Sequence, residues 1–170
     1  MAIRTILVQG DPALNKMCHQ ITKFDDRLAD LLNDLKETLT QANGLGLAAP
    51  QVGILRRATI VVDDNGEMLE LVNPEIVDQR GEQDGLEGCL SVPGMWGYVK
   101  RPEWVKVKAQ DRFGNWFEVE GSGVTARCFC HELSHLDGHL YTEQCEKLYT
   151  NEELDQMLEE TEEEEQEERQ

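Results

Sequence analysis

The most regular pattern of apolar and polar positions lies between residues 25 and 43 and predicts an amphipathic helix. Asp25 or Asp26 can cap its N-terminus, and Asn43-Gly44 can end it. The apolar residues recur at intervals of three and four, which places them on one helical face. They are Leu28, Leu31, Leu32, Leu35, Leu39 and Ala42.

A second, shorter helix is predicted from Asp11-Pro12 to about Gln20, because proline is favoured in a first helical turn. After residue 57 the apolar runs become short or alternating, which is typical of strands separated by turns. Strands are predicted at 58–62, 67–72, 75–80, 85–91, 97–100, 103–110 and 116–120, with a break at Asn73-Pro74. Two further helices are predicted at 123–137 and 151–165.

Strands followed by helices, with little strict alternation, predict an α+β fold. We expect a largely antiparallel sheet packed around the helix at 123–137, with N-terminal helices and a C-terminal helix.

The length and net charge of the chain disfavour several classes of protein. A chain of 170 residues fits one domain, which we place at 1–150, followed by an acidic C-terminal helix or tail at 151–170. The formal net charge is −18, and the part before residue 151 is also acidic, which disfavours direct nucleic-acid binding. No apolar run has the length of a membrane span or signal peptide, and five irregularly spaced cysteines disfavour a disulfide framework. These features predict a cytoplasmic protein with no membrane association.

The chemistry is concentrated in His131-Glu132-Leu133-Ser134-His135, an H-E-x-x-H pattern on the predicted helix. Histidines four residues apart share a helical face, so both imidazoles can reach one metal ion. The glutamate between them is close enough to accept a proton from a water activated by that metal. The alternative is a helix with two half-buried histidines that are hydrogen-bonded to the backbone.

A catalytic site of this type usually needs a third protein ligand and one open position. The candidates are Cys89, Cys128, His139, Glu143 and Glu146. Cys128 lies about 10 Å along the helix axis from the second histidine, which is too far for three short metal bonds. His139 comes two residues before the third histidine of the metzincin pattern, and the glutamates carry no signature. Cys89, beside Gly88 in a strand-like segment, offers a good thiolate donor, although composition alone favours a buried structural cysteine.

A glycine-rich segment, 44–53, precedes these residues. Its first six positions match the dinucleotide pattern G-x-G-x-x-A, but a helix precedes it and Pro50 disrupts any helix after it, so that interpretation is rejected. A tight glycine turn allows the backbone to approach a ligand. Gln51 could present its side-chain amide to a developing oxyanion.

Three ordered segments of this chain resemble those of the peptide deformylase family. They are Gly44-Leu45-Gly46-Leu47-Ala48-Ala49-Pro50-Gln51, then Glu87-Gly88-Cys89-Leu90-Ser91, then His131 to His135. The family shows G-x-G-x-A-A-x-Q, E-G-C-L-S and H-E-x-D-H in the same order. The similarity extends from about residue 3 to about residue 145, and three ordered motifs are far more specific than one.

The resemblance implies a catalytic domain that removes the N-terminal formyl group from formyl-methionyl nascent polypeptides. Cys89, His131 and His135 would hold one divalent metal, with water in the fourth place. The ion is commonly Fe²⁺ in the family, and Zn²⁺, Ni²⁺ or Co²⁺ can substitute. Glu132 would take a proton from the water and pass it to the leaving amine. The Gln51 amide and the Leu90 backbone N–H would form the oxyanion hole.

The same resemblance implies the substrate-binding residues. Leu45, Gly46 and Gly88 would contact the substrate main chain in the manner of an added strand. Leu90, Val124 and Cys128 would form apolar walls for the methionine side chain.

Two positions depart from the family pattern. Ser134 stands where the family usually has aspartate, and Cys130 stands where glutamine is common. Both lie next to metal ligands, so we expect an altered metal affinity or rate rather than lost chemistry. Some members end in a basic helix associated with ribosome docking, whereas this chain ends in glutamates, which disfavours that mode of transient ribosome contact.

Two other functions are compatible with the sequence. A zincin-type endopeptidase would need an open cleft and a third ligand other than Cys89. A non-catalytic homologue that binds formylated peptides would account for the departures at Cys130 and Ser134. Loss of metal in Cys89→Ala is expected only for the deformylase.

Overall fold

The computed structural model describes residues 2–169, so that Met1 and Gln170, the ends of the two predicted units, lie outside the described residues. The helices are α1 (Asp26–Ala42), α2 (Val124–Leu136) and α3 (Asn151–Glu168). The strands are β1 (Gly46–Ala48), β2 (Ala58–Val62), β3 (Met68–Arg80), β4 (Gln83–Cys89), β5 (Val92–Arg101), β6 (Trp104–Gln110), β7 (Trp116–Ser122) and β8 (Leu148–Thr150). Within residues 2–169, no helix combines the length and apolar character that a membrane span requires.

The strands form two antiparallel sheets. One has five strands in the order β1-β2-β3-β6-β7, and the other has three in the order β4-β5-β8. Helix α2 contacts β1, β2, β6 and β7 of the first sheet and β5 of the second. The predicted α+β class with antiparallel sheets is therefore confirmed.

Helix α1 forms as the apolar pattern predicted. The Asp25 side chain accepts a hydrogen bond from the Leu28 backbone N–H, and Asn43 ends the helix in the left-handed conformation with φ of 57°. The leucine stripe is buried and packs with Leu47, Ala58, Ile60 and Val72 of the first sheet. The opposite, polar face is left to solvent, so the helix is stabilised mainly by tertiary packing.

Helix α2 has one apolar face, and its other face carries the two histidines. Ala126, Phe129 and Cys130 pack into a second cluster with buried residues of β2, β3 and β6. His131 points in the other direction, where its Nδ1 lies 2.9 Å from Glu87 Oε1 of β4. The helix is thus fixed by one sheet while it presents its histidines to the other.

The predicted break at Asn73-Pro74 was wrong, because β3 continues to Arg80. Asn73 and Pro74 form a β-bulge, which gives a register shift between Val72 and Glu75 against β6. Asn73 has φ of 49°, and its side chain accepts from Ile21 N and donates to Ile21 O and Gln110 Oε1. Hydrogen bonds from the Asn73 side chain therefore hold the irregular backbone that proline imposes.

The predicted helix from Asp11 to Gln20 was also wrong in extent. Only Pro12–Asn15 forms a 3₁₀ turn, and Lys16 is extended. The Cys18 N–H donates to Leu136 O, and the His19 N–H donates to Leu55 O, so these amides serve tertiary bonds instead of a helix. The N-terminal part, from residue 2 onward, therefore contains one α-helix, α1, where two helices were expected.

Helix α3 begins with a capping box between Thr150 and Glu153 and buries no residue. The N-terminal end of α3 lies beside β5, because the preceding strand β8 pairs with Met95, Trp96 and Gly97 of β5. Trp96 Nε1 also donates to Asn151 Oδ1. The acidic segment is helical, as predicted, and its exposure explains the small number of apolar residues in it. The three-residue strands β1 and β8 were not predicted, because they are too short to show a period.

Candidate metal centre

Three donor atoms, one from β4 and two from α2, converge at one point beside a cleft. Cys89 Sγ of β4 lies 3.4 Å from His135 Nε2, and the two histidine Nε2 atoms of α2 are 3.2 Å apart. All three donors lie within 4.8 Å of one another. Tetrahedral bonds of usual length would separate two nitrogens by about 3.3 Å and a nitrogen and a sulfur by about 3.6 Å. The donor set and its spacing therefore fit one divalent ion of borderline softness.

The other residues considered as third ligands lie elsewhere. Cys128 lines the cleft one turn before His131 but is not part of the donor cluster. Burial raises the pKa of the Cys128 thiol to about 12, and nearby Glu132 adds to this rise. His139 is paired with Glu143 on the exposed surface. Among residues 2–169, the cluster with Cys89 is the one group of three such donors.

A buried carboxylate orients the first histidine. Glu87 accepts hydrogen bonds from Arg101 Nε and Nη2 at 2.8 and 3.0 Å and from Arg127 Nη1 at 2.7 Å. Its Oε1 lies 2.9 Å from His131 Nδ1. Burial raises the pKa of Glu87, but the hydrogen bonds from Arg101 and His131 outweigh it and lower the pKa to about 2. The ionised carboxylate fixes the imidazole with Nε2 directed toward the other donors.

The two histidines experience opposite environments. Burial disfavours the imidazolium of His131, but its contacts with Cys89 and Glu87 more than offset this and raise the pKa. Burial lowers the pKa of His135 well below its usual value, and the positive charge of His131 lowers it further. A neutral imidazole is the form that binds a metal, so the burial of His135 favours its ligand form.

Glu132 is buried beside the donors. Its Oε1 lies 4.0 Å from His131 Nε2, and Oε2 is buried without a hydrogen-bond partner among the residues that the structure describes. Burial raises the pKa of Glu132 to about 7, and the negative charge of Glu87 acts in the same direction. A β-carbon at residue 46 would lie 2.5 Å from Glu132 Oε1, so glycine is required there for this approach.

Gln51 lies in a 3₁₀ turn after β1 and is fully buried. Its Oε1 accepts from the Ala48 N–H at 2.9 Å, which fixes the amide orientation. Its Nε2 donates to Ser91 Oγ at 3.1 Å and to Cys89 Sγ at 3.6 Å. The longer contact leaves one N–H of this amide directed at the donor cluster.

A cleft of about 750 Å³ adjoins the cluster and brings the remaining candidate residues together. Its walls include all of the proposed substrate residues, which are Leu45, Gly46, Gly88, Leu90, Val124 and Cys128. Leu45 and Val124 are exposed at the rim, whereas Leu90 packs against the α1 core. The cleft has strand β1 on one side and β4 on the other, and each is a terminal strand of its sheet.

Some residues of this site were not predicted from the sequence. Arg101, Arg127 and Trp96 join the network or the cleft wall through tertiary packing. Arg127 could have been found from its position, because it is four residues before His131 and so on the same helical face. The departures from the family pattern lie away from the cleft: Cys130 packs in the core, and Ser134 faces a separate cavity.

The family model for polypeptide deformylase matches residues 3–151. The chain belongs to the polypeptide deformylase family. It is 54% identical over 147 residues to a peptide deformylase of Agathobacter rectalis, which covers 86% of this chain and 92% of that protein. Among solved structures, a peptide deformylase from Legionella pneumophila superposes with a TM-score of 0.81 at 45% identity, covering 84% of this chain and 86% of the other. One from Thermotoga maritima gives 0.83 at 36% identity, covering 86% and 100%. The polypeptide deformylase family is metal-dependent, in agreement with the donor cluster.

Proposed function

We propose that this chain hydrolyses the N-terminal formyl group of formyl-methionyl peptides on new polypeptides. The observation that carries the proposal is the convergence of Cys89 with His131 and His135 beside the buried carboxyl of Glu132. Membership of the deformylase family supports the same reaction. Because such peptides are made in the cytoplasm, that compartment is part of the proposal.

Cys89, His131 and His135 would hold one divalent metal ion, for which we propose Fe²⁺, with Zn²⁺, Ni²⁺ or Co²⁺ as substitutes. Bound there, the ion would polarise a water molecule and the formyl carbonyl. Glu87 supports this role, since it fixes the ring of His131 and leaves Nε2 as the donor.

Glu132 moves the proton in the proposed reaction. It accepts the proton of the attacking water and donates it to the nitrogen of the leaving amine. Its buried, unpartnered Oε2 supports this role, because that oxygen is free of competing bonds among the described residues. The Gln51 amide and the Leu90 backbone N–H would donate to the oxygen that becomes negatively charged on the formyl carbon.

The substrate would lie in the cleft as an extended strand. Strands β1 and β4 both present a sheet edge beside the cleft, which supports main-chain contacts from Leu45, Gly46 and Gly88. Leu90, Val124 and Cys128 would form walls for the methionine side chain. We further propose that residues 1–150 form the catalytic unit and that the acidic tail makes no ribosome contact of the basic-helix type.

The test is release of the free amine from formyl-Met-Ala-Ser by the anaerobically purified protein with Fe²⁺. Turnover is expected, and Glu132→Gln is expected to reduce kcat by about 10²–10⁴-fold, because it removes the group that moves the proton. Bound metal, measured in the same samples, should stay close to one per chain in that variant. Absence of turnover with every divalent metal would contradict the proposal and favour a protein that only binds formylated peptides.

A further inference from the structure

Trp96 is an aromatic residue of the cleft wall to which the proposed mechanism gives no role. It belongs to β5, and 36% of its surface is exposed. The benzo edge of its indole covers Gly88 of β4, because a β-carbon at residue 88 would lie 2.5 Å from Cζ3 and 3.0 Å from Cη2. Strand β4 is a terminal strand of its sheet. The absence of a side chain at residue 88 therefore lets the ring extend over β4 and line the cleft.

The indole of Trp96 is contacted at both of its edges. Opposite the benzo edge, Nε1 donates a hydrogen bond to Asn151 Oδ1 at the start of α3. The backbone at Gly88 and the acceptor on Asn151 together limit rotation of the ring. The exposed part of the indole is thus a preformed apolar surface, and a ligand that binds it orders little additional side chain.

Trp96 lies on the face of the second sheet that is turned away from α2. Successive side chains of a strand point to opposite faces. On β4, Glu87 is buried toward α2, where it meets His131 Nδ1, whereas Leu86 is exposed. Position 88 shares the face of Leu86, and Trp96 covers position 88 on that side. Leu86 and Trp96 both line the cleft and are 38% and 36% exposed.

The proposed binding mode directs one substrate side chain to this face. An extended peptide beside β4 would place its first side chain against Val124 and Cys128, which belong to α2. The period of two along a strand then directs the second side chain to the opposite face, where Leu86 and Trp96 lie, and returns the third to the α2 face.

We propose that Trp96 is a specificity-determining residue that favours an aromatic side chain at the second position of the formyl peptide. Leu86 extends the same apolar surface. An aromatic side chain buries a large apolar area, and an edge-to-face or offset contact with the indole adds to that gain. This inference rests on the proposed deformylation and deepens it, because it adds a second recognised side chain to the formyl-methionyl group.

The experiment compares formyl-Met-Phe-Ser and formyl-Met-Ala-Phe with formyl-Met-Ala-Ser. The second-position ratio is kcat/KM for the first peptide over that for the last, and the third-position ratio uses formyl-Met-Ala-Phe in the same way. Trp96→Ala should lower the second-position ratio about fivefold, the loss expected for one aromatic pair. Its third-position ratio should stay within about twofold of wild type, because the alternation of the strand turns that side chain away from Trp96. A general loss of turnover cancels in both ratios.

Two further variants separate recognition from support of the sheet. Tyr98→Ala is the matched control, since Tyr98 is exposed on the same face of β5 but contacts Tyr149 of β8. Its second-position ratio should stay within about twofold of wild type. Trp96→Phe keeps a ring over Gly88 and should recover part of the ratio that Trp96→Ala loses. Calorimetric affinities for Met-Phe-Ser and Met-Ala-Ser give the corresponding ratio for any variant too slow to assay.

The outcomes distinguish the inference from the function on which it rests. Turnover of all three peptides with a second-position ratio that Trp96→Ala leaves unchanged, or that Tyr98→Ala lowers equally, would overturn the inference and leave the deformylase function intact. A decrease confined to the third-position ratio would also overturn it, because the strand would then present the opposite face. Absence of turnover for every peptide would instead overturn the proposed function, and the calorimetric ratio would decide whether Trp96 still recognises the second side chain.

Discussion

Helices α2 and α3 differ in what holds them in place. In α2, side chains of both faces are fixed by other elements: the core sheet packs on one face, and Glu87 and Cys89 meet the other. Helix α3 buries no residue and depends on its capping box and its short pairing through β8. The comparison shows that the candidate metal ligands lie on a helix whose position is determined by tertiary contacts. A helix that extends into solvent, such as α3, can form from its local sequence. Substitutions in the two helices should therefore have effects of very different size.

The largest effect is expected at Cys89, the donor that joins the second sheet to α2. Cys89→Ala should abolish detectable turnover and lower metal affinity by more than about 100-fold, because loss of a ligand exceeds the loss caused by its supporting residues. Metal analysis of anaerobically purified protein and the amine-release assay measure both. Cys145→Ala is the matched control, since Cys145 is also half-buried but lies outside the donor cluster. Retention of metal by Cys89→Ala would favour an endopeptidase with another ligand.

The second-largest effect is expected at Glu87, the buried carboxylate that contacts Arg127 and His131 of α2. Glu87→Ala leaves two guanidinium groups buried without a counter-ion, which should lower the free energy of unfolding by about 3–5 kcal/mol. Urea denaturation measures the loss. Glu87→Gln keeps the volume and one acceptor, so it should be less destabilising while still weakening metal binding. If both variants were as stable as wild type, the network would contribute nothing to the fold.

A smaller effect is expected where α3 begins. Thr150→Ala removes the hydroxyl that accepts from the Glu153 N–H, which should destabilise the helix by about 1 kcal/mol. Hydrogen exchange of the α3 amides should accelerate, while turnover and exchange in α2 stay unchanged. A matching decrease in turnover would show that α3 supports the cleft and would weaken the contrast between the two helices.

The smallest effect is expected at Glu70, which pairs with cationic side chains as Glu87 does but is more exposed. There we expect the free energy of unfolding to depend on pH. Burial raises the pKa of Glu70, but hydrogen bonds from Arg112 and Lys36 outweigh it and hold the pKa below its usual value. Its stabilising contribution is therefore complete above the ordinary glutamate pKa and is lost as pH falls through the lowered value. Glu70→Gln should cost about 1 kcal/mol or less at pH 7, and progressively less on acidification. A stability difference independent of pH from 3 to 7 would contradict this assignment.

The sequence predicted the features that depend on local period or on a motif. Helix α1 has the expected stripe and caps, and α2 forms as a helix that contacts strands of both sheets. The residues alone left the third ligand open, because Cys89 and His131 are 42 positions apart and their meeting depends on how the sheets pack. Our assignment of that ligand came from the resemblance, and the geometry agrees with it.

Features that depend on tertiary hydrogen bonds were missed. The residues after Asn15 leave the helical conformation because their amides bond to Leu136 and Leu55, which are distant in sequence. Proline at 74 suggested a strand end, but the Asn73 side chain supplies the bonds that let β3 continue. The role of Arg101 could not be inferred, because its contact with Glu87 depends on tertiary packing of distant residues.

The close approach of Glu132 to Gly46 limits how this cleft can be redesigned. Any library that varies the segment before Gln51 must leave residue 46 untouched, since even a methyl group there would collide with the Glu132 carboxyl. Diversity is better directed to the exposed rim at Leu45 and Val124, where new side chains meet solvent. Substitutions at this rim thus leave the packing of Glu132 against Gly46 intact.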